Sequence, residues 1–214
     1  MYTVYSVDHS LYCAKLRLVL RHKRLEWRDV PPPGGTGSAD YLSLVPTGNL
    51  PALVDGTLTL TDSEAIAEYL EEKHPSPAML PSGLVPRALS RERSRFHDTR
   101  LEPALRLTFS NTDPRTRRPD EITAAHAEIT KRLAALEILL KAPLSRDQLW
   151  LGDCGIIITC EWLDIMVEYG VLPTLDMGPE IIRYRAQMQE FDAVAAELVC
   201  YLPHMHDWMD SKHR

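Results

Sequence analysis

Every strand-like segment of this 214-residue chain lies before Asp62, and beyond a proline-rich stretch the pattern is helical throughout. Tyr2-Thr3-Val4-Tyr5-Ser6-Val7 is rich in β-branched and aromatic residues, and Leu25-Glu26-Trp27-Arg28-Asp29-Val30 alternates as a half-buried strand does. Ala52-Leu53-Val54 and Thr57-Leu58-Thr59-Leu60 flank Asp55-Gly56, a dipeptide suited to the positive φ angles of a tight hairpin. Cys13 to Arg24 has apolar residues at helical spacing, and Pro31 to Gly37 is a loop. Asp62-Ser63 caps a helix to about Lys73, with Ala65, Ile66, Tyr69 and Leu70 on one face. The order β-α-β-α-β-β-α defines an α/β module with a mixed sheet over residues 1–75. Pro77, Pro81 and Pro86 mark a linker at 76–86, and 87–214 is expected to be all helical. Its helical stretches are Leu89–Leu107, Ile122–Lys141, Thr159–Tyr169, Pro179–Glu190 and Ala193–Tyr201.

Charge and composition exclude several functions. A net charge of −6 leaves no basic surplus to neutralise phosphates, so nucleic acid is not the expected partner. No apolar run reaches the roughly 18 residues of a membrane span, and Met1 leads straight into a strand rather than a signal core. The 4 cysteines (Cys13, Cys154, Cys160, Cys200) have neither zinc-site spacing nor the density of a disulfide scaffold, and no histidine pair sits at ligand spacing. The expectation is a reduced, cytoplasmic protein without a metal.

Chemistry concentrates in three places. Ser10-Leu11-Tyr12-Cys13 reads as a C-x-x-C redox turn whose first cysteine is replaced by serine, at a strand-to-helix junction. Helix N-terminal N–H groups there favour an anion, and the serine hydroxyl can donate to a thiolate supplied by another molecule. Gly48-Asn49-Leu50-Pro51-Ala52-Leu53 sets a proline directly before a strand, where a cis bond exposes peptide groups. Asp62-Ser63-Glu64 opens a helix with a hydroxyl and spare N–H groups suited to a carboxylate.

In this order the three segments resemble the cytosolic glutathione transferase superfamily, carried by Ser10–Arg17, Pro46–Leu53 and Asp62–Leu70. The resemblance implies a thioredoxin-like N-terminal domain, an all-α C-terminal domain and a homodimer that uses glutathione as co-substrate in detoxification-type chemistry. Ser10 falls where serine-type members hold the thiolate. Leu50 and Pro51 fall where the cysteinyl part is paired, with Asn49 beside them. Asp62 and Ser63 match the pair that holds the γ-glutamyl group. The implied function is thiolate attack on a small hydrophobic electrophile. Alternatives are a glutathione-dependent isomerase of the maleylacetoacetate type, a reductase or dehalogenase, and a non-catalytic binding relative.

Two departures stand out. Pro31–Leu50 contains no Lys, Arg, His or Gln to meet the glycyl carboxylate of glutathione. Thr159-Cys160-Glu161-Trp162 stands where a capping box is expected, so Thr159 is read as the helix cap without its reciprocal carboxylate. Tyr12, His97, Arg100 and Leu101 are the candidates for contact with the electrophile, the last three from helical spacing after Arg93; a surface or interdomain role for His97 and Arg100 is the alternative. Tyr5 is read as a packing residue before a catalytic one, and Cys13 as a small core residue before a redox one.

Overall fold

The computed structural model describes all 214 residues. Strands β1 (Tyr2–Tyr5), β2 (Trp27–Val30), β3 (Ala52–Asp55) and β4 (Leu58–Thr61) form one sheet in the order β2-β1-β3-β4. β1 pairs parallel with β2 and antiparallel with β3, and β3 pairs antiparallel with β4 through the Asp55-Gly56 turn, where Gly56 has φ +61°. Helices α1 (Leu11–His22), α2 (Ala39–Leu44) and α3 (Ser63–Lys73) complete the expected thioredoxin-like module.

The rest is helical. It comprises α4 (Leu84–Phe96), a π turn at His97–Leu101, α5 (Glu102–Arg106), α6 (Pro119–Leu139), α7 (Leu151–Glu168), α8 (Pro179–Gln189) and α9 (Asp192–His213). α4 begins five residues before the sequence pattern suggested, because Pro86 fits its first turn, where an N–H is not needed. α9 extends well past Tyr201 and carries Pro203 inside it.

The Thr159 cap is corrected. α7 starts at Leu151, and the carboxylate of Asp153 accepts the N–H of Trp150 at 3.0 Å while the Trp150 carbonyl accepts the Asp153 N–H at 2.9 Å. The capping carboxylate is therefore present, nine residues earlier than sought. Leu151–Ile158 is a nearly unbroken apolar run because α7 is the central helix, buried on all sides, so its amphipathic period is lost.

α1 packs against the sheet on one side and against α7 and α9 on the other. Leu16, Leu18, Val19 and Leu20 are buried without solvent contact, each contributing about 1.5–3 kcal/mol of apolar burial. It also buries charge. Arg17 Nε and Arg21 Nε each donate to Glu197 of α9 at 2.7 Å, and Glu197 is 0% exposed. At the linker, Lys23 Nζ donates to the carbonyls of His74 and Pro77, while Glu71 accepts the N–H groups of Met79 and Leu80.

Removing Glu197 strands a buried guanidinium. Glu197→Ala is expected to lower unfolding stability by about 3–5 kcal/mol, read from the urea midpoint. Replacing Arg17, Arg21 and Glu197 together by Met is expected to recover most of the loss.

Candidate functional site

β1 delivers the chain to α1 through Val7–His9, and Ser10 stands at the N-cap. Its Oγ accepts the N–H of Cys13 at 3.4 Å, which leaves the hydroxyl hydrogen free to point away from the helix. The backbone before it is held from the far module: Trp162 Nε1 donates to Tyr201 Oη, and Tyr201 Oη donates to the His9 carbonyl, both at 2.8 Å. Cys13 is fully buried and burial pushes its thiol up, so it stays protonated and packs as a core residue. Tyr5 packs edge to face on Tyr41 at 5.5 Å and does not line the cleft.

The second and third segments converge on Ser10. The Leu50–Pro51 peptide is cis, and Asn49 and Leu50 line the same cleft. Asp62 adopts φ +74° and caps α3 with one oxygen, Oδ1 accepting the N–H groups of Glu64 and Ala65 at 3.0 Å. Its Oδ2 is left for a ligand cation. A non-glycine residue at that φ carries strain on the order of 1–3 kcal/mol, which an N-cap aspartate partly offsets. Ser63 lines the cleft at the first position of α3.

The opposite wall differs from the helical-wheel expectation. The cleft, about 460 Å³, is closed by Arg95, Asp98, Thr99 and Arg106 together with Tyr12. Of the four expected electrophile contacts only Tyr12 is there. His97 and Leu101 are 0% exposed in the interior, and Arg100 is exposed with Nη1 on the Thr99 carbonyl. The face that carries Arg93, His97 and Leu101 points inward: Arg93, itself buried, pairs with Asp153 of α7 at 3.0 Å, and His97 follows one turn later, where the chain enters the π turn at His97–Leu101. Asp98 and Thr99 turn to the cleft while His97 turns inward over Gly155. A Cβ at Gly155 would collide with the His97 ring, so α7 can approach only with glycine there. The sequence carries no local signal for which side of α4 faces inward; the Gly155 opening is its nearest trace.

Beneath the cleft is a buried charge network. Lys15 Nζ lies 2.8 Å from Glu64 and 2.9 Å from Asp98. His97 Nδ1 lies 2.7 Å from Asp98 Oδ1, and His97 Nε2 lies 2.8 Å from Thr159 Oγ1. Burial pushes the His97 pKa down, so the ring is neutral; Nδ1–H donates to the carboxylate and Nε2 accepts from the threonine hydroxyl. Burial works against the Asp98 carboxylate, but the His97 hydrogen bond and the Lys15 ammonium outweigh it and hold its pKa at about 2. Tyr12 is pushed up by burial and by Glu102, so its phenol stays protonated.

A second, smaller compartment of about 220 Å³ opens from the same point, lined by Val7, His9, Ser10, Leu11, Arg106, Phe109, Trp162 and Trp208. Phe109, Trp162 and Trp208 form a cluster with centroids 5.3–5.8 Å apart, and His9 stacks on Trp208 at 5.4 Å. Arg106 is ion-paired with the buried Glu102 and its guanidinium lies 5.3 Å over Phe109. Ser10 and Arg106 alone border both compartments. No group of His, Cys, Asp and Glu in the fold has the geometry of a metal site, and no helix is long and apolar enough to cross a membrane.

Known proteins resemble this chain in sequence and in fold. Residues 4–78 match the family profile described as Glutathione S-transferase, N-terminal domain. A zeta-class glutathione S-transferase of Euphorbia esula is 32% identical over 158 residues, covering 70% of each chain. Glutathione S-transferase 1 of Dianthus caryophyllus is 31% identical over 211 residues, covering 95% of this chain and 88% of that one. Among solved structures, a delta-class glutathione transferase of Nilaparvata lugens superposes with a TM-score of 0.82 over 99% of this chain and 100% of the other, at 17% identity.

The folded pKa of Asp98 lies below the unfolded value of about 3.9. Its contribution is therefore full above about pH 4 and is lost as pH falls through about 2, amounting to about 2 kcal/mol. Thermal unfolding across about pH 5 to 2 should show Asp98→Asn losing less stability on acidification than the unmodified protein.

Proposed function

Because the chain belongs to the cytosolic glutathione transferase superfamily, we propose that it is a serine-type transferase that holds glutathione as a thiolate at Ser10 and presents it to a small apolar electrophile. The observation that carries this reading is the position of Ser10, on the border between a polar compartment that fits a peptide and an aromatic one that fits an electrophile. In the polar compartment the γ-glutamyl carboxylate meets Ser63 at the start of α3 and its ammonium meets Asp62. The cysteinyl backbone pairs with Leu50 beside cis-Pro51.

A free thiol has a pKa of about 8.5, so only a few per cent is ionised at neutral pH. The Ser10 hydroxyl donates to the sulfur, and the N-terminal end of α1 adds a favourable field; each unit of pKa lowering corresponds to about 1.4 kcal/mol. The thiol proton leaves to water. The sulfur pair then forms the new S–C bond while the leaving group departs with its own pair, a step supported by positioning and electrostatics. By analogy with the family the protein acts as a cytoplasmic homodimer.

A second reading, glutathione-dependent isomerisation of a cis-enone acid, is favoured by Arg106. It is the one cation bordering the aromatic compartment, placed to hold a substrate carboxylate next to the sulfur. The zeta-class relative supports it.

Calorimetry should show glutathione binding at millimolar or better affinity, and no binding would end both readings. Ser10→Ala is expected to raise the bound thiol pKa by about one unit or more, read from thiolate absorbance, and to lower kcat/KM for a dinitrophenyl halide about 10–100-fold. Arg106→Gln separates the two readings. A loss of about 10-fold in kcat/KM for a carboxylate-bearing electrophile, with its methyl ester unaffected, favours the isomerase; equal effects on both favour simple transfer.

A further inference from the structure

The γ-glutamyl end of glutathione, whose binding at α3 is the reading on which this step rests, carries a carboxylate and an ammonium on one carbon. Asp62 has Oδ2 left over for the ammonium, since Oδ1 is used by the helix cap. The carboxylate finds the Ser63 hydroxyl and the N–H groups of the first turn, but no cation beside them: Glu64, Ala65 and Ile66 follow. No residue that the sheet module contributes to the cleft is a cation. Lys15 lies beneath it, 1% exposed and paired with Glu64 and Asp98.

Cations reach the cleft only from the helical module, as Arg95 of α4 and Arg106 of α5. They stand at different ends. Arg106 pairs with Glu102, lies over Phe109 and borders the aromatic compartment beside Ser10. Arg95 lies 4.0 Å from Asp98, and the Lys15 ammonium bridges Asp98 at 2.9 Å to Glu64 at 2.8 Å, which sets Asp98 against the first turn of α3. Asp98 is fully engaged: Lys15 donates to both of its oxygens and His97 shares Oδ1. At 4.0 Å its contact with Arg95 is too long for a hydrogen bond, and the Arg95 side chain is 60% exposed. Asp98 therefore draws the guanidinium to this wall of the cleft without occupying its donors.

We propose that Arg95 is the cation for the γ-glutamyl α-carboxylate, which it holds together with Ser63 while Asp62 takes the ammonium. The amino-acid end of the thiol is then gripped from both modules, with Ser63 and Asp62 on α3 and Arg95 on α4. A guanidinium facing a carboxylate donates two parallel N–H bonds, so it fixes orientation as well as charge. Arg95 is thereby a specificity-determining residue. It favours thiols that carry the α-carboxylate and is indifferent to the glycyl one.

Titration calorimetry of the full chain and its Arg95→Gln variant tests this with three thiols. They are glutathione, its glycyl monoethyl ester, and 4-aminobutyrylcysteinylglycine, which is glutathione with hydrogen in place of the α-carboxylate. Arg95→Gln is expected to weaken the first two about 10-fold and the third less than about 2-fold, and Arg95→Lys, which keeps the charge without the fork, to weaken the first two about 3-fold. Three results overturn the inference while leaving the transferase reading in place. Arg95→Gln costs glutathione less than about 3-fold; the ester escapes the loss, which puts Arg95 on the glycyl carboxylate; or all three thiols weaken alike, a general effect on the fold. If glutathione does not bind the unmodified protein, both readings fall together.

Discussion

A helix without a solvent face that nevertheless carries Lys15 and Arg17 sets the terms on which this molecule assembles. Buried alone, each cation would cost several kcal/mol in desolvation, so every one must find an acid in the right place. The acids come from elements far apart in sequence: Glu64 from α3, Asp98 from the π turn and Glu197 from α9. The docking of the helical module on the sheet module brings Asp98 and Glu197 to these cations, while Glu64 meets Lys15 from within the sheet module. The ion pairs of α1 thus span the two modules on either side of the cleft.

The same helix carries Ser10 at its N-cap, so the fold's most constrained element holds the group proposed to meet the sulfur. Pinning acts on both sides of that residue. Tyr201 holds the carbonyl of His9, and the Lys15–Asp98–His97–Thr159 network fixes the wall that faces it. A donor held in this way needs little reorganisation when a thiolate arrives, which is the condition under which a single hydrogen bond is most effective.

What could be read from the sequence was what is encoded locally. The Asp55-Gly56 hairpin, the Ser10 and Asp62 caps and the proline before β3 are each short-range chemistry, a turn dihedral or a side chain bonding its own backbone. The half of the cleft proposed to face glutathione is made of such pieces, and Ser10, Asn49, Leu50, Asp62 and Ser63 do line one cavity. The opposite half is not local. The inward facing of His97 depends on Gly155 of another helix having no side chain, and no periodicity in either segment reports the pair. The start of α7 was hidden for a related reason: complete burial erases the alternation that marks a helix face, so Thr159 looked like a beginning although it sits mid-helix as a partner for His97.

The bonds that complete the Ser10 site bridge very long stretches of chain: 180 residues separate Arg17 from Glu197, and 192 separate His9 from Tyr201. Loops of that length close late in folding, because their entropy must be overcome before the contact rewards it. During synthesis the sheet module is therefore outside the ribosome, with its strands paired, well before α9 exists to neutralise Arg17 or hold His9. Until then α1 presents uncompensated cations to water rather than to a core. The Ser10 edge of the cleft matures as the final step of folding, and its completion becomes a report that the last helix has docked.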